Sequence, residues 1–93
     1  MTRTTPSQPV AVVTGGARGI GLAVAQWVLA HGYNVALLDI DATTLAATDA
    51  ALADGEHVLA LHTDVSQPDQ VSQAMQAVAE RFGRIDALVN NAG

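Results

Sequence analysis

From Val10 onward, short aliphatic runs alternate with longer stretches whose apolar positions recur every three or four residues. Residues 10–13, 34–39, 57–62 and 87–90 are the short runs, each of strand length and rich in Val, Leu or Ala. Their apolar residues run on without a polar residue at every second position, the pattern of strands covered on both faces. The stretches between them read as helices. Ile20, Ala23, Val24, Trp27 and Val28 share helical spacing, and Gly32 stops that helix. Residues 42–53 are rich in Ala and Leu, with a weak apolar stripe that Gly55 closes. Before the third helix, Ser66 offers an N-cap, Pro68 sits in the first turn and Asp69 completes a capping-box spacing. Val71, Met75, Val78 and Phe82 then form a single apolar stripe, and Gly83 ends it.

Strands alternating with helices at this rhythm predict right-handed crossovers and a parallel sheet, hence the α/β class. Four strands and three helices make one half of a doubly wound sheet plus the first strand after its reversal point. The Thr, Ser and Pro of residues 2–9 predict a flexible tail over 1–9, and the folded portion runs from 10 to 93. A sheet that stops after its fourth strand leaves an unpaired edge and uncovered apolar faces, so the chain reads as a truncated domain.

Composition narrows the partners. Apolar residues make up 49% of the chain and the formal charge is −5, with four arginines and no lysine. Nucleic acid and anionic membranes both require clustered positive charge, so neither is expected as a partner. No aliphatic run is long enough to span a bilayer, and residues 1–9 lack the apolar core of a signal peptide, which predicts a cytoplasmic location. Without cysteine there are no disulfides or thiolate metal sites. His31, His57 and His62 lack metal-ligand spacing and read as structural or surface residues, so no metal is expected.

The chemistry begins at Thr14-Gly15-Gly16-Ala17-Arg18-Gly19-Ile20-Gly21, which follows a strand and opens a helix. In that context Gly15 permits a tight turn, Gly19 lets the backbone approach a pyrophosphate, and Gly21 lets the helix lie close to the sheet. The helix then aims unpaired N–H groups and the positive end of its dipole at the phosphates. The plainer reading is a strand–helix turn with glycines for geometry alone. A P-loop is excluded because it needs a lysine. The arrangement is that of a Rossmann-type dinucleotide site, with βαβαβαβ as its N-terminal portion.

Asp39, 18 residues past Gly21 at the end of the second strand, can accept hydrogen bonds from the adenosine ribose hydroxyls. It would repel a 2′-phosphate by about 4 kcal/mol at ~4 Å with an effective dielectric of ~20, and by less if solvated. Arg18 pulls the other way, since a basic residue in the turn can reach that phosphate. Asp41 either adds to the acidic side or simply caps the second helix. Two carboxylates against one arginine favour NAD, with NADP the alternative. Asp64, at the end of the third strand before Val65, can accept from the adenine amino group while the next N–H meets a ring nitrogen. It can equally form a cap or Asx turn ahead of Ser66. Asn90-Asn91-Ala92-Gly93 ends the fourth strand, where an Asn can tie strand ends together while Ala and Gly leave room for a ribose.

Together these residues resemble the short-chain dehydrogenase/reductase family. The spacing Thr14-Gly15-x-x-x-Gly19-x-Gly21 matches its main branch. Asp39, the Asp64-Val65 pair and Asn90-Asn91-Ala92-Gly93 fall where its pattern requires them, so the resemblance covers everything after the tail. It implies that Gly15, Arg18 and Ile20 contact the pyrophosphate and neighbouring ribose, with Gly19 and Gly21 completing the cofactor-binding turn. By the same resemblance Asp39 takes the adenosine ribose, Asp64 and Val65 hold the adenine, and Asn90 lies beside the cofactor with Ala92 and Gly93.

In this family a Tyr-x-x-x-Lys pair, with a Ser before it, carries out proton transfer. Here Tyr33 is the only tyrosine, Leu37 stands four residues on, and there is no lysine. Tyr33 therefore reads as a turn residue, no catalytic residue is assigned, and the 93-residue chain alone is predicted inactive. The resemblance implies the cofactor half of an NAD(P)-dependent oxidoreductase that passes hydride between nicotinamide and an alcohol or carbonyl substrate, homo-oligomeric at full length. Two other readings stand beside it. One is a dinucleotide-binding or regulatory module without turnover; the other is a non-binding half-domain whose open edge another chain covers.

Overall fold

The aliphatic runs at 10–14 and 34–39 form parallel strands that bury residues of both parities, whereas those at 58–62 and 87–90, at the two edges of the sheet, are only partly covered. The computed structural model describes residues 8–91. It contains β1 (Val10–Thr14), α1 (Gly19–Ala30), β2 (Asn34–Asp39), α2 (Ala42–Leu52), β3 (Val58–His62), α3 (Pro68–Phe82) and β4 (Ala87–Asn90). Most of the expected tail, residues 1–7, and the expected site residues Ala92 and Gly93 lie outside the described residues. Pro9, at the tail's end, already takes part in the sheet: its carbonyl accepts from Asn34 N at 2.8 Å.

The strand order is β3-β2-β1-β4, all neighbours parallel. The chain steps outward twice, from β1 to β2 to β3, then returns past two strands to β4. With crossovers of one hand, the returning helix must lie on the opposite face from the first two. It does. Ala11, Val13, Val35, Leu37 and Val58 pack with Ala25 and Val28 of α1 and Leu45 of α2. Val10, Val12, Ala36 and Leu38 pack on the other face with Ala74 and Val78 of α3. Parallel pairing brings all the strand carboxyl ends to one edge, with Thr14 opposite Leu38 and Asn90, and Asp39 opposite His62.

Three local expectations change. Ser66 does not cap α3; Gln67 holds that position, and Pro68 opens the helix. The Asp64 carboxylate lies closer in the chain and takes both the Ser66 N–H and hydroxyl on Oδ1, at 3.0 and 2.6 Å. A charged acceptor two residues back outcompetes the backbone amides ahead. On α1, the buried face is Gly21, Ala25 and Val28, whereas Ile20 and Trp27 are 75% and 58% exposed. Small residues let this helix lie flat on the sheet, and its outward side is nearly as apolar, so hydrophobicity alone did not orient it. Trp27 instead stacks on His31 at the helix end, ring centroids 3.8 Å apart. Finally, α2 stops at Leu52, before Gly55, with Ala53 turned into the left-handed region at φ +49°.

The α3 stripe packs as the spacing predicts, with Val78 buried and Met75 and Phe82 against the same cluster. On β4, Ala87 and Val89 pack toward α1, while Leu88 on the other face is 56% exposed. Asp86 fixes the start of β4: its carboxylate accepts from Val10 N at 2.8 Å and pairs with Arg84 at 2.6 and 2.8 Å. Among the described residues, no helix is long and apolar enough to cross a membrane, and no group of His, Asp and Glu could hold a metal ion.

Candidate functional site

The glycine turn, Asp39, Asp64, Val65 and Asn90 lie together at the carboxyl edge of the sheet. The Thr14 hydroxyl, buried at the end of β1, joins β1 to β4. It donates to Asn90 Oδ1 at 3.1 Å or the Val89 carbonyl at 3.3 Å, and accepts from Asn91 N at 2.9 Å. Asn91 Nδ2 reaches the Gly15 carbonyl at 3.4 Å. Strands on either side of the reversal point are thereby held at a fixed spacing.

The glycine turn leaves β1 at once, with Gly15 N donating to the Leu38 carbonyl at 2.7 Å. Gly19 opens α1 at φ +62°, a conformation that only glycine adopts readily, and a Cβ there would meet open space. Gly21 is required for another reason: a Cβ on it would lie 2.1 Å from the Gly15 carbonyl oxygen. The close approach is thus to the turn's own backbone just past β1. Arg18, at the N-cap of α1, is extended and its side chain caps nothing, so the first amides of the helix have no side-chain acceptor. Arg18, Gly19 and Ile20 are all exposed. This end of α1 can receive an anion.

Beside the turn lies a cleft of about 190 Å³ lined by Gly15, Leu38, Asp39, Ile40, Thr63, Asp64 and Val65. Asp39 is only 8% exposed, and its two oxygens accept from Ala17 N at 3.1 Å and Asp41 N at 3.0 Å. Each carboxylate oxygen has a second lone-pair direction, so a hydroxyl in the cleft can still be bound. Asp41 caps α2 by accepting from Thr44 N and Thr44 Oγ1, and those bonds, with help from Arg18, hold its carboxyl below the usual range. Arg18 lies 3.7 Å from the same carboxylate. The cap expected of Asp41 is therefore present, and its charge also lies beside Arg18.

On the far side of the cleft, the Ser66 hydroxyl, and then the Ser66 amide, keep the Asp64 carboxyl below its ordinary value. Both bonds fall on Oδ1, in the Asx-turn geometry. The exposed side chains of Ile40 and Val65 give the cleft apolar lips. A larger hollow of about 480 Å³ between β3 and α3 shares only Thr63 with the cleft and includes no residue of the turn.

The remaining candidates stand apart. Tyr33 packs half-buried against the α1 side of the core, and its N–H donates to the Val28 carbonyl at 3.0 Å. His31 bonds the Trp27 carbonyl, His57 lies on Asn34 Oδ1 and His62 on the Ile40 carbonyl, so no two histidines meet. Two residues that shape the turn were given no role from the sequence, Gly16 within the motif and Thr48 on α2. Gly16 has no room for a Cβ, which would fall 2.9 Å from Leu37 Cδ2. Thr48 Oγ1, from the middle of α2, donates to the Ala17 carbonyl at 2.5 Å. The signal for Thr48 was there: it shares the inward stripe with Leu45 and Leu52, where a hydroxyl needs a partner.

The family model for short chain dehydrogenases matches residues 9–93. The chain belongs to the short-chain dehydrogenase family. Galactitol 2-dehydrogenase of Agrobacterium fabrum is 47% identical over 83 residues, covering 89% of this chain and 32% of that enzyme. A short-chain dehydrogenase/reductase of Burkholderia phymatum, solved with NAD, superposes with a TM-score of 0.81 at 37% identity over 88% of this chain and 30% of that one. The C-domain of a bacterial malonyl-CoA reductase, solved with NADP, gives 0.82 at 36% identity over 91% of this chain and 14% of that one. The chain spans about a third of the length of the curated short-chain dehydrogenases and other oxidoreductases it matches. Its parallel sheet and flanking helices are the Rossmann-type fold of the family, an oxidoreductase family whose nucleotide-binding domain takes NAD(P).

Proposed function

We propose that the glycine turn and its adjoining cleft hold the pyrophosphate and adenosine of a nicotinamide dinucleotide, NAD in preference to NADP. A nicotinamide dinucleotide, when bound, supplies the hydride acceptor or donor for oxidation or reduction of an alcohol or carbonyl substrate. The residues present fit that group: the backbone is bare over Gly19, the α1 amides lack a side-chain cap, and carboxylates line the cleft beside them. Gly15, Arg18, Gly19, Ile20 and Gly21 would meet the pyrophosphate and its neighbouring ribose. Asp39 would accept from the adenosine ribose, and Asp64, through Oδ2, and Val65 would meet the adenine. Asn90, with Ala92 and Gly93 beyond it, would face the rest of the cofactor.

The observation that carries the reading is Asp39, a carboxylate at the floor of the cleft within bonding distance of the turn's own Ala17 amide. Its charge favours ribose hydroxyls over a 2′-phosphate. Arg18, the residue able to offset that charge, is drawn toward Asp41 instead. With neither lysine nor a second tyrosine, this chain binds and orients without moving the substrate proton, and we assign it no turnover by itself. Titration calorimetry of the 93-residue chain with NADH and NADPH tests the reading. Binding of NADH, with NADPH weaker, is expected; heat from neither ligand would overturn it.

A further inference from the structure

Thr48 is a polar side chain at 9% exposure on the inward face of α2, and its hydroxyl is given to a turn that α2 does not belong to. The acceptor, the carbonyl of Ala17, lies in a residue only 2% exposed. The Ala17 N–H is held from β2 by Asp39 Oδ2 at 3.1 Å. Ala17 is therefore gripped at both of its peptide groups, from two different elements.

We infer that Thr48 is a positioning residue for dinucleotide binding, setting the direction of the Arg18 N–H; this rests on the function proposed above. A trans peptide is planar, so its carbonyl and N–H point oppositely. With the Ala17 carbonyl fixed toward Thr48, the Arg18 N–H of the same peptide points away from α2, on the exposed side of the turn. Reversing that peptide turns ψ of Ala17 and φ of Arg18, and the Thr48 hydroxyl opposes the turn by holding the carbonyl side. A flipped peptide presents a carbonyl where an anion needs a donor. The Thr48 hydroxyl removes that alternative in the free protein, so the donor is in place before the ligand arrives. The threonine acts from behind and touches no ligand.

The test uses Thr48→Val, which keeps shape and branching but loses the hydroxyl, and Thr48→Ser, which keeps the donor. Calorimetric titration of each folded 93-residue variant with NADH, well below its thermal midpoint, should show Thr48→Val weakened about three- to tenfold. Thr48→Ser should return to within about twofold of the parent protein. A folded Thr48→Val variant that melts lower but binds NADH as the parent does overturns the inference alone, reducing Thr48 to a packing role. A parent protein that binds neither NADH nor NADPH overturns the functional reading and this inference with it. Should Thr48→Val fail to fold, the ligand-free parent decides. One Arg18 amide resonance is expected, and two exchanging resonances overturn the inference.

Discussion

Asp39 carries more of the fold than a ligand contact requires, and its removal should reveal this. Asp39→Ala takes away the acceptor for two backbone amides, those of Ala17 and Asp41. A buried donor left without a partner costs about 1–3 kcal/mol. The cleft admits water to one side of Asp39, so the pair should cost about 2–4 kcal/mol in total. For a domain of this size each kcal/mol moves the thermal midpoint by about 4–8 °C, which predicts a fall of about 8–32 °C. Asp39→Asn should fall between, because its oxygen can accept one amide while its NH₂ faces the other donor. Thermal unfolding followed by far-ultraviolet circular dichroism, without ligand, measures both. An Asp39→Ala midpoint within about 3 °C of the parent would refute the bridging role. If the fall is seen, lost NADH affinity in Asp39→Ala reports turn collapse as well as a missing ribose contact. The comparison with Asp39→Asn is then the informative one.

Three further outcomes are expected. Asp41→Asn keeps the helix cap but removes the charge facing Arg18 at 3.7 Å, so the ratio of NADPH to NADH affinity should rise a few-fold at low salt and less at high salt; an unchanged ratio in calorimetry contradicts it. Ala53→Gly should raise the thermal midpoint, because Ala53 sits at φ +49° at the α2 terminus, and relief of about 1–2 kcal/mol exceeds the entropy glycine adds to the unfolded chain; a lower midpoint counts against that geometry. Asp41, Asp64 and Asp86 are each held below the ordinary carboxylate range, by Thr44, Ser66 and Arg84 respectively. A carboxyl lowered in the folded state adds stability above its unfolded value and loses it as pH falls through the folded one. The midpoint should therefore hold steady just above about pH 5 and decline on acidification below about pH 4, less steeply in Asp86→Asn; an identical acid limb in that variant contradicts the Asp86 assignment.

The strands were readable because burial on both faces leaves continuous aliphatic runs, as at 34–39, where only Asn34 and Asp39 at the ends are polar. The glycine spacing was readable because backbone geometry demands glycine outright at Gly19 and Gly21. What the pattern could not supply was orientation and competition. On α1 the inward side is Gly21, Ala25 and Val28, with Val24 beside it, so the stripe was right at Val24 and Val28 and wrong at the larger Ile20 and Trp27. At α3, Ser66 had two partners within reach, and the sequence does not rank a carboxylate behind it against amides ahead. The contacts of Asp39 and Thr48 with Ala17 span 22 and 31 residues, and although the α2 stripe shows that Thr48 needs a partner, no local pattern names Ala17 for either.

The central claim is that the dinucleotide lies across the glycine turn and the cleft between β2 and β3. Amide resonance mapping of the 93-residue chain during titration with NAD tests it most directly. The account predicts shifts concentrated at Gly15, Arg18, Gly19, Ile20, Asp39, Asp64, Val65 and Asn90, with Gln73 and Ala74 in the hollow beside α3 unmoved. Shifts centred on that hollow, with the turn silent, would contradict it.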